Sequence, residues 1–266
     1  MTTRFPAPDL LLGHHDGGKL WPAASGLNLA AAYALALEVR SLRQARGEQP
    51  RGYKVGFTNR NIWPRYQVFA PIWGTVWDTG LRHCDGEGEL SLAQACQPRL
   101  EPEAVFGIRA TPPAGASLEA LFACLDWVAP GFEVVQSHMP DWKFSAADTV
   151  ADGGLHARLL VGRPVPVAQV AGDAGAFEQR LATAHVTLLR DGEAVEQGVG
   201  ANVLDGPLHA LHHFVQALHA CPGAPQLLPG DVVTTGTWTD AWPVRAGETW
   251  TARFDAPLAP LAVRFT

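Results

Sequence analysis

The chain has 266 residues, 47% hydrophobic and 17% charged, with a formal net charge of −6; this suits a soluble globular enzyme of one large domain, or one domain with a small appendage. The weak acidic balance gives no case for nucleic acid or an anionic membrane as partner. With no apolar run of ~18 residues and no basic-then-apolar leader in Met1 to Asp9, the expected location is the cytoplasm.

In chain order, Asn28 to Arg46 reads as a helix. Leu29, Ala32, Tyr33, Ala36 and Leu37 recur at helical spacing, and Gly47 supplies a stop. Gly52 to Phe57 reads as a short strand bracketed by glycine, and the aromatic, polar stretch Thr58 to Pro71 as a flap or short helix. Cys84, Cys96, Cys124 and Cys221 form no C-x-x-C pair and read as reduced thiols. Arg99 to Ile108 reads as a strand, and Ser117 to Trp127 as a helix with Ser117 as its N-cap. Gly131 to Val135 and Ala157 to Gly162 read as strands. Asp191-Gly192 is a hairpin signal between Ala184–Arg190 and Ala194–Val199. Pro207 to Ala220 reads as a helix, and Asp231–Gly236, Thr249–Phe254 and Leu261–Phe265 as strands. Strands dominate the second half, with helices outside them. The expected class is α+β, a mixed β-roll with peripheral helices, and no G-x-G-x-x-G or P-loop pattern points to a doubly wound sheet. The division expected is an N-terminal helical or αβ segment with a possible lid over 1–70 and a catalytic β-roll over 71–266.

The stretch Leu100-Glu101-Pro102-Glu103 carries the most chemistry. Strand side chains two apart share a face, so Glu101 and Glu103 stand side by side, and such like charges conflict unless a proton or a cation intervenes. Pro102 cannot donate to a ladder, which predicts an edge or a bulge. Glu133 is a lone charge in an apolar strand and needs a partner. All-oxygen ligation favours Mg²⁺, Mn²⁺ or Ca²⁺ over zinc. The pattern alone leaves open a solvated Glu101–Glu103 face with Glu133 paired to an arginine.

Gly52-Tyr53-Lys54-Val55-Gly56-Phe57-Thr58, Glu101-Pro102-Glu103, Glu133-Val134-Val135-Gln136-Ser137, Trp142-Lys143-Phe144, Asp148-Thr149-Val150-Ala151-Asp152, Gly200-Ala201-Asn202-Val203-Leu204 and Thr234-Thr235-Gly236-Thr237 together resemble the 2-keto-4-pentenoate hydratase family. That family belongs to the fumarylacetoacetate hydrolase superfamily and includes 4-oxalocrotonate decarboxylases. The match runs in order from about Gly52 to Phe265. The resemblance implies a β-roll of the fumarylacetoacetate hydrolase type and a Mg²⁺ or Mn²⁺ ion on Glu101, Glu103 and Glu133. It also implies a substrate-facing Lys54, a Gly236-Thr237 segment holding the substrate carboxylate, and an acidic active-site residue at Asp78. One segment departs from it: where the hydratases tend to read Asn-Ala-Ser-Ser, this chain reads Gly153-Gly154-Leu155-His156.

The expected substrate is a small 2-hydroxy-2,4-dienoate or 2-oxo acid. Lys54, among apolar neighbours, is the expected proton carrier, its pKa lowered by desolvation and by the ion. Asp78 is expected to pair with it or orient water, and His156 to replace the lost hydroxyls as proton shuttle or water-positioning group, with a structural histidine as the alternative. His138 reads as a loop residue, Lys143 as an ion-pair partner of Asp148 or Asp152, and the histidines at 209, 212, 213 and 219 as solvent-facing. Trp63, Tyr66, Phe69, Trp73 and Trp77 form either a flap over the site or core. The activity expected first is hydration of a 2-hydroxypenta-2,4-dienoate-like compound from aromatic catabolism, with 2-oxo-acid decarboxylation or acylpyruvate C–C hydrolysis as alternatives and a non-catalytic partner role last. A homo-oligomer is expected because edge-rich β-rolls bury edges in a partner.

Overall fold

The computed structural model describes residues 5–266, so Met1 to Arg4 of the stretch read for a leader lie outside the described residues. The elements run α1 (Pro8–Gly17), α2 (Leu29–Ala45), β1 (Pro50–Gly56), α3 (Trp63–Tyr66), β2 (Ile72–Trp77), β3 (Leu81–His83), β4 (Glu87–Leu90) and β5 (Arg99–Ile108). There follow α4 (Leu118–Ala123), β6 (Leu125–Val135), α5 (Ala146–Ala151), β7 (His156–Val161), β8 (Val165–Pro166), α6 (Val167–Val170) and α7 (Ala174–Thr183). The chain closes with β9 (His185–Arg190), β10 (Glu193–Val199), α8 (Pro207–Ala220), β11 (Val232–Thr237), β12 (Trp242–Pro243), β13 (Thr249–Phe254) and β14 (Leu261–Phe265).

A mixed sheet runs β2-β1-β11-β5-β6-β7-β3, with β12 and β8 as side additions, and a second sheet runs β10-β9-β13-β14-β4. Helix α2 starts where Asn28 caps it through Ala31 N. Helix α8 turns its Leu208, Leu211, Phe214, Val215 and Leu218 inward, and Phe214 meets the Tyr53 ring at 5.4 Å. Each such fully buried apolar side chain contributes about 1.5–3 kcal/mol. No helix among the described residues is long and apolar enough to cross a membrane.

One expectation changes. The helix predicted over Ser117 to Trp127 stops at Ala123, although Ser117 does cap it, and β6 takes the chain from Leu125. β6 is buried from Val128 to Val135, so no alternation marks where it begins. Of the two alternatives for Pro102, the structure takes the bulge: β5 lies between β11 and β6, and the ladder from β11 shifts register between Thr234 and Thr237, where a proline without an N–H is tolerated. Strands β1 and β2 pair from Pro50↔Trp77 to Gly56↔Ile72, so Lys54 sits within the large sheet.

Candidate metal centre

Register brings the three glutamates together. In the β5–β6 ladder Glu101 stands directly opposite Glu133, and Glu103 lies two residues along on the same face. One carboxylate oxygen from each lies within 4.8 Å of the others. Glu103 and Glu133 are fully buried, whereas Glu101 is half-buried and lines a pocket. Directly opposed like charges are destabilising in a ladder, so this arrangement needs compensation.

The hydrogen bonds are uneven in an informative way. Glu103 Oε2 accepts from Gly236 N at 2.6 Å, and Glu103 Oε1 has no partner. Glu133 Oε1 lies 2.8 Å from His156 Nδ1 and 3.5 Å from Lys54 Nζ, and Glu133 Oε2 has no partner. Each buried glutamate is thus anchored through one oxygen and leaves the other without a donor. A buried carboxylate oxygen without a donor costs on the order of 1–3 kcal/mol or more. A hard divalent cation removes that cost, and three convergent carboxylates are the donor set such an ion takes. The residues present fit Mg²⁺ or Mn²⁺.

Electrostatics follows from the crowding. Burial, joined by the charges of Glu133 and Glu101, pushes the Glu103 carboxyl well above the usual carboxylate range. Burial lifts Glu101 to about 7, with Lys54 opposing and Glu133 adding to the rise. For Lys54, whose lowered value is expected with an ion in place, the carboxylates by themselves act in the opposite direction. Burial does disfavour its charge, but the attraction of Glu133, Glu101 and Glu103 outweighs it and holds the ammonium above the ordinary lysine value.

Beside the glutamates opens a cavity of about 490 Å³, lined among others by Lys54, Arg65, Tyr66, Arg99, Glu101 and Thr237. Tyr66 stacks between Phe57 and Phe144, with ring centroids at 4.7 and 5.7 Å, and forms an aromatic wall. Gly236 and Thr237 both line this cavity. Gly236 has φ 98°, and a Cβ there would lie 1.9 Å from Thr58 Oγ1, so only glycine lets its N–H reach Glu103. Thr237 Oγ1 donates to Thr239 O.

Other expected site residues lie elsewhere. Asp78, at the far end of β2, is half-buried, accepts from Gln49 N at 3.0 Å and does not line the cavity. His156 reaches Glu133 but borders a second cavity behind the site, together with His15, Trp21, Arg43, Trp73 and Asp152. Of the aromatic cluster, Tyr66 faces the front cavity, Trp73 and Trp77 are buried core, Trp63 packs against the core and Phe69 is 89% exposed.

His138 lies in the loop after β6, as expected, but is not on the surface. It is fully buried, with its N donating to Asp152 Oδ2 at 2.9 Å and its Nδ1 2.5 Å from Asp152 Oδ1. Lys143 pairs with neither Asp148 nor Asp152 but lies 3.4 Å from Asp141, both side chains exposed. Asp148 instead completes a capping box with Ser145. His209 is held by Glu178 at 2.5 Å rather than facing solvent freely. The sequence reading missed Arg65 and Arg99. For Arg99 a signal existed, since it precedes Glu101 by two residues on the same strand and so shares its face.

No family model matches the chain. It is 30% identical over 226 residues to 2-hydroxyhexa-2,4-dienoate hydratase of Comamonas testosteroni, covering 84% of this chain and 80% of that one. It is 29% identical over 252 residues to 4-oxalocrotonate decarboxylase of Pseudomonas sp. strain CF600, covering 94% and 90%. Among solved structures, 4-oxalocrotonate decarboxylase from Pseudomonas putida G7, complexed with magnesium and adipate, superposes with a TM-score of 0.87 at 26% identity, covering 97% of this chain and 95% of that one. Fumarylpyruvate hydrolase from Pseudomonas aeruginosa, in complex with Mn²⁺ and pyruvate, shares the fold with a TM-score of 0.61 at 19% identity, over 81% and 89% of the two chains. Fold and curled sheet are therefore those of the fumarylacetoacetate hydrolase superfamily. Within it, the chain belongs to the family of 2-keto-4-pentenoate hydratases and 4-oxalocrotonate decarboxylases.

Proposed function

We propose that the chain is a metal-dependent lyase that hydrates a 2-hydroxypenta-2,4-dienoate-like acid, using Mg²⁺ or Mn²⁺ on Glu101, Glu103 and Glu133. The observation that carries this reading is the pair of donorless buried oxygens, Glu103 Oε1 and Glu133 Oε2, next to a buried Lys54 at the floor of an open cavity. The family supplies the reaction class, since relatives are named as hydratases of 2-hydroxydienoates and as decarboxylases.

When bound, the ion supplies Lewis-acid stabilisation of negative charge at the substrate 2-oxygen. The chain's residues do the rest. Lys54 Nζ, buried 3.5 Å from Glu133 Oε1 and lining the cavity, is the proton carrier facing the substrate. Ketonisation removes the proton of the 2-hydroxyl and adds one at the far carbon. Water then adds across the conjugated double bond, its oxygen to C4 and its proton to C3, giving 4-hydroxy-2-oxopentanoate. Gly236 N fixes Glu103, and Thr237, which lines the cavity, is assigned the substrate carboxylate in this reading. The Phe57–Tyr66–Phe144 stack limits bulk water on one side.

A second reading, decarboxylation of a 2-oxo diacid, is favoured by Arg65 and Arg99. Both line the cavity, and among the described residues neither has a carboxylate within ion-pair distance, so a second substrate carboxylate would find two guanidinium groups there. Acylpyruvate hydrolysis is less well supported. It calls for a histidine with a free carboxylate at the site, and the buried His138–Asp152 pair does not line the front cavity. A scaffold-only role would leave Lys54 exposed or turned away, and it is 3% exposed and points at Glu133. A cytoplasmic homo-oligomer remains our proposal for the working form, and light scattering checks the assembly.

The test is turnover of 2-hydroxypenta-2,4-dienoate, followed by loss of its ultraviolet absorbance, with Mg²⁺, Mn²⁺ or EDTA. Metal-dependent loss yielding 4-hydroxy-2-oxopentanoate is the expected result. Turnover of a 2-oxo diacid with CO₂ release, and none of the dienoate, would replace hydration by the second reading.

A further inference from the structure

The segment Gly153-Gly154-Leu155-His156 is built in an unusual way. Gly153, Gly154 and Leu155 have φ of 63°, 71° and 67°, three left-handed residues in succession. For Leu155 that conformation costs on the order of 1–2 kcal/mol. The turn is clamped against β2, where a Cβ on Gly74 would come 1.9 Å from Gly153 O. Directly after it the β6–β7 ladder slips: Glu133 pairs with Leu159 and Val134 with Arg158, but Val135 pairs with His156 instead of Ala157. A one-residue slip moves a side chain to the opposite face of a sheet, and bulges are a common way to re-aim one. Here the slip turns His156 onto the face of Glu133, where Nδ1 lies 2.8 Å from Oε1. A metal-binding carboxylate only accepts, so the glutamate centre requires the ring proton on Nδ1.

The same ring has a second side. His156 is 5% exposed, its Nε2 has no protein partner, and it borders the rear cavity, whose free volume of about 50 Å³ is room for on the order of a few waters. It does not line the front cavity where the substrate enters. The histidine therefore reaches the reaction only through Glu133.

We propose that His156 is a positioning residue for the metal: its Nδ1–H fixes Glu133 Oε1, presents Oε2 to the ion and thereby sets the affinity of the site. Lys54 Nζ, at 3.5 Å from the same Oε1, is the weaker restraint. The role assigned to His156 rests on the three-glutamate centre proposed above, and its test separates the two. Partners of metal ligands that are not themselves ligands typically govern about 10–100-fold in affinity.

Metal-stripped wild type, His156→Leu and His156→Asn are titrated with Mn²⁺ by calorimetry and electron paramagnetic resonance, with circular dichroism as the check on folding. Asparagine keeps an N–H near the place of Nδ1, whereas leucine keeps none. The expected result is a loss of about 10–100-fold in Mn²⁺ affinity for His156→Leu and recovery of most of it in His156→Asn. Pulsed resonance on the wild type should show no nitrogen bound directly to Mn²⁺. Equal affinities in all three proteins, or a directly bound nitrogen, overturn the positioning role while leaving the glutamate centre standing. A wild type that binds no Mn²⁺ overturns both. If His156→Leu does not fold, nitrogen NMR of the wild type decides: a neutral ring protonated on Nδ1 before and after Mg²⁺ supports the role, and a ring protonated on Nε2 alone removes it.

Discussion

Two groups of buried ionisable side chains lie back to back in this molecule. In front, Glu101, Glu103 and Glu133 surround Lys54, and Glu103 and Glu133 each keep one oxygen without a donor. Behind, Asp152 has both oxygens engaged by His138, and Asp148 receives Ser25 N, Ser25 Oγ, Ser145 N and Ser145 Oγ at 2.6–2.9 Å. Both groups are expensive to bury. The rear carboxylates are satisfied by the chain itself and therefore fix structure. The front ones are left incomplete by the chain and therefore wait for something else. For the carboxylates, incompleteness, more than burial or charge, separates the reactive cluster from the structural one, although His138 Nε2 at the rear also lacks a partner.

That contrast can be broken most directly at the front. Glu103→Gln removes a ligand charge while preserving shape, and should abolish Mn²⁺ binding by calorimetry and lower kcat/KM by about 10³-fold. Full activity and affinity in this variant would remove Glu103 from the ligand set. Lys54→Met should lower kcat by about 10²–10⁴-fold. Its Mn²⁺ affinity should be retained or increased, because the ammonium no longer competes for Glu133. A parallel loss of metal would make Lys54 a scaffold for the glutamates rather than a proton carrier.

At the rear the prediction concerns stability. Asp148→Ala should cost about 3 kcal/mol, a fall in Tm of roughly 10 °C, with little change in kcat at a temperature where the protein is folded. Burial works against the Asp148 charge, yet the donors from Ser25 and Ser145 outweigh it and hold the carboxyl below its ordinary value. A depressed folded pKa means that this stabilisation is complete above the unfolded value and is lost as pH falls through the folded one. The Tm difference between wild type and Asp148→Ala should therefore shrink in acid, and a difference that grows would reverse the assignment. The smallest effect is expected at Asp78. Asp78→Asn should leave kcat/KM within about twofold, since its carboxylate meets the Gln49 backbone outside the cavity.

The sequence by itself determined whatever depends on local periodicity. The spacing of two placed Glu101 and Glu103 on one face, the 3.6-residue repeat placed α2 and α8, and Asp191-Gly192 placed the β9–β10 hairpin. Resemblance extended this to Glu133 and Lys54. Only the tertiary structure decided matters of register and approach. It set Glu133 opposite Glu101, slid β7 by one residue to bring His156 onto Glu133, and let Gly236 come close enough to bond Glu103. It carried Asp78 away from the site, because the other end of β2 faces the cavity. A strand's pattern tells which side chains share a face, but the pairing of that strand with a distant one is set by the packing of the whole sheet. Which carboxylates meet, and which of their oxygens remain free, is fixed only when that packing is complete.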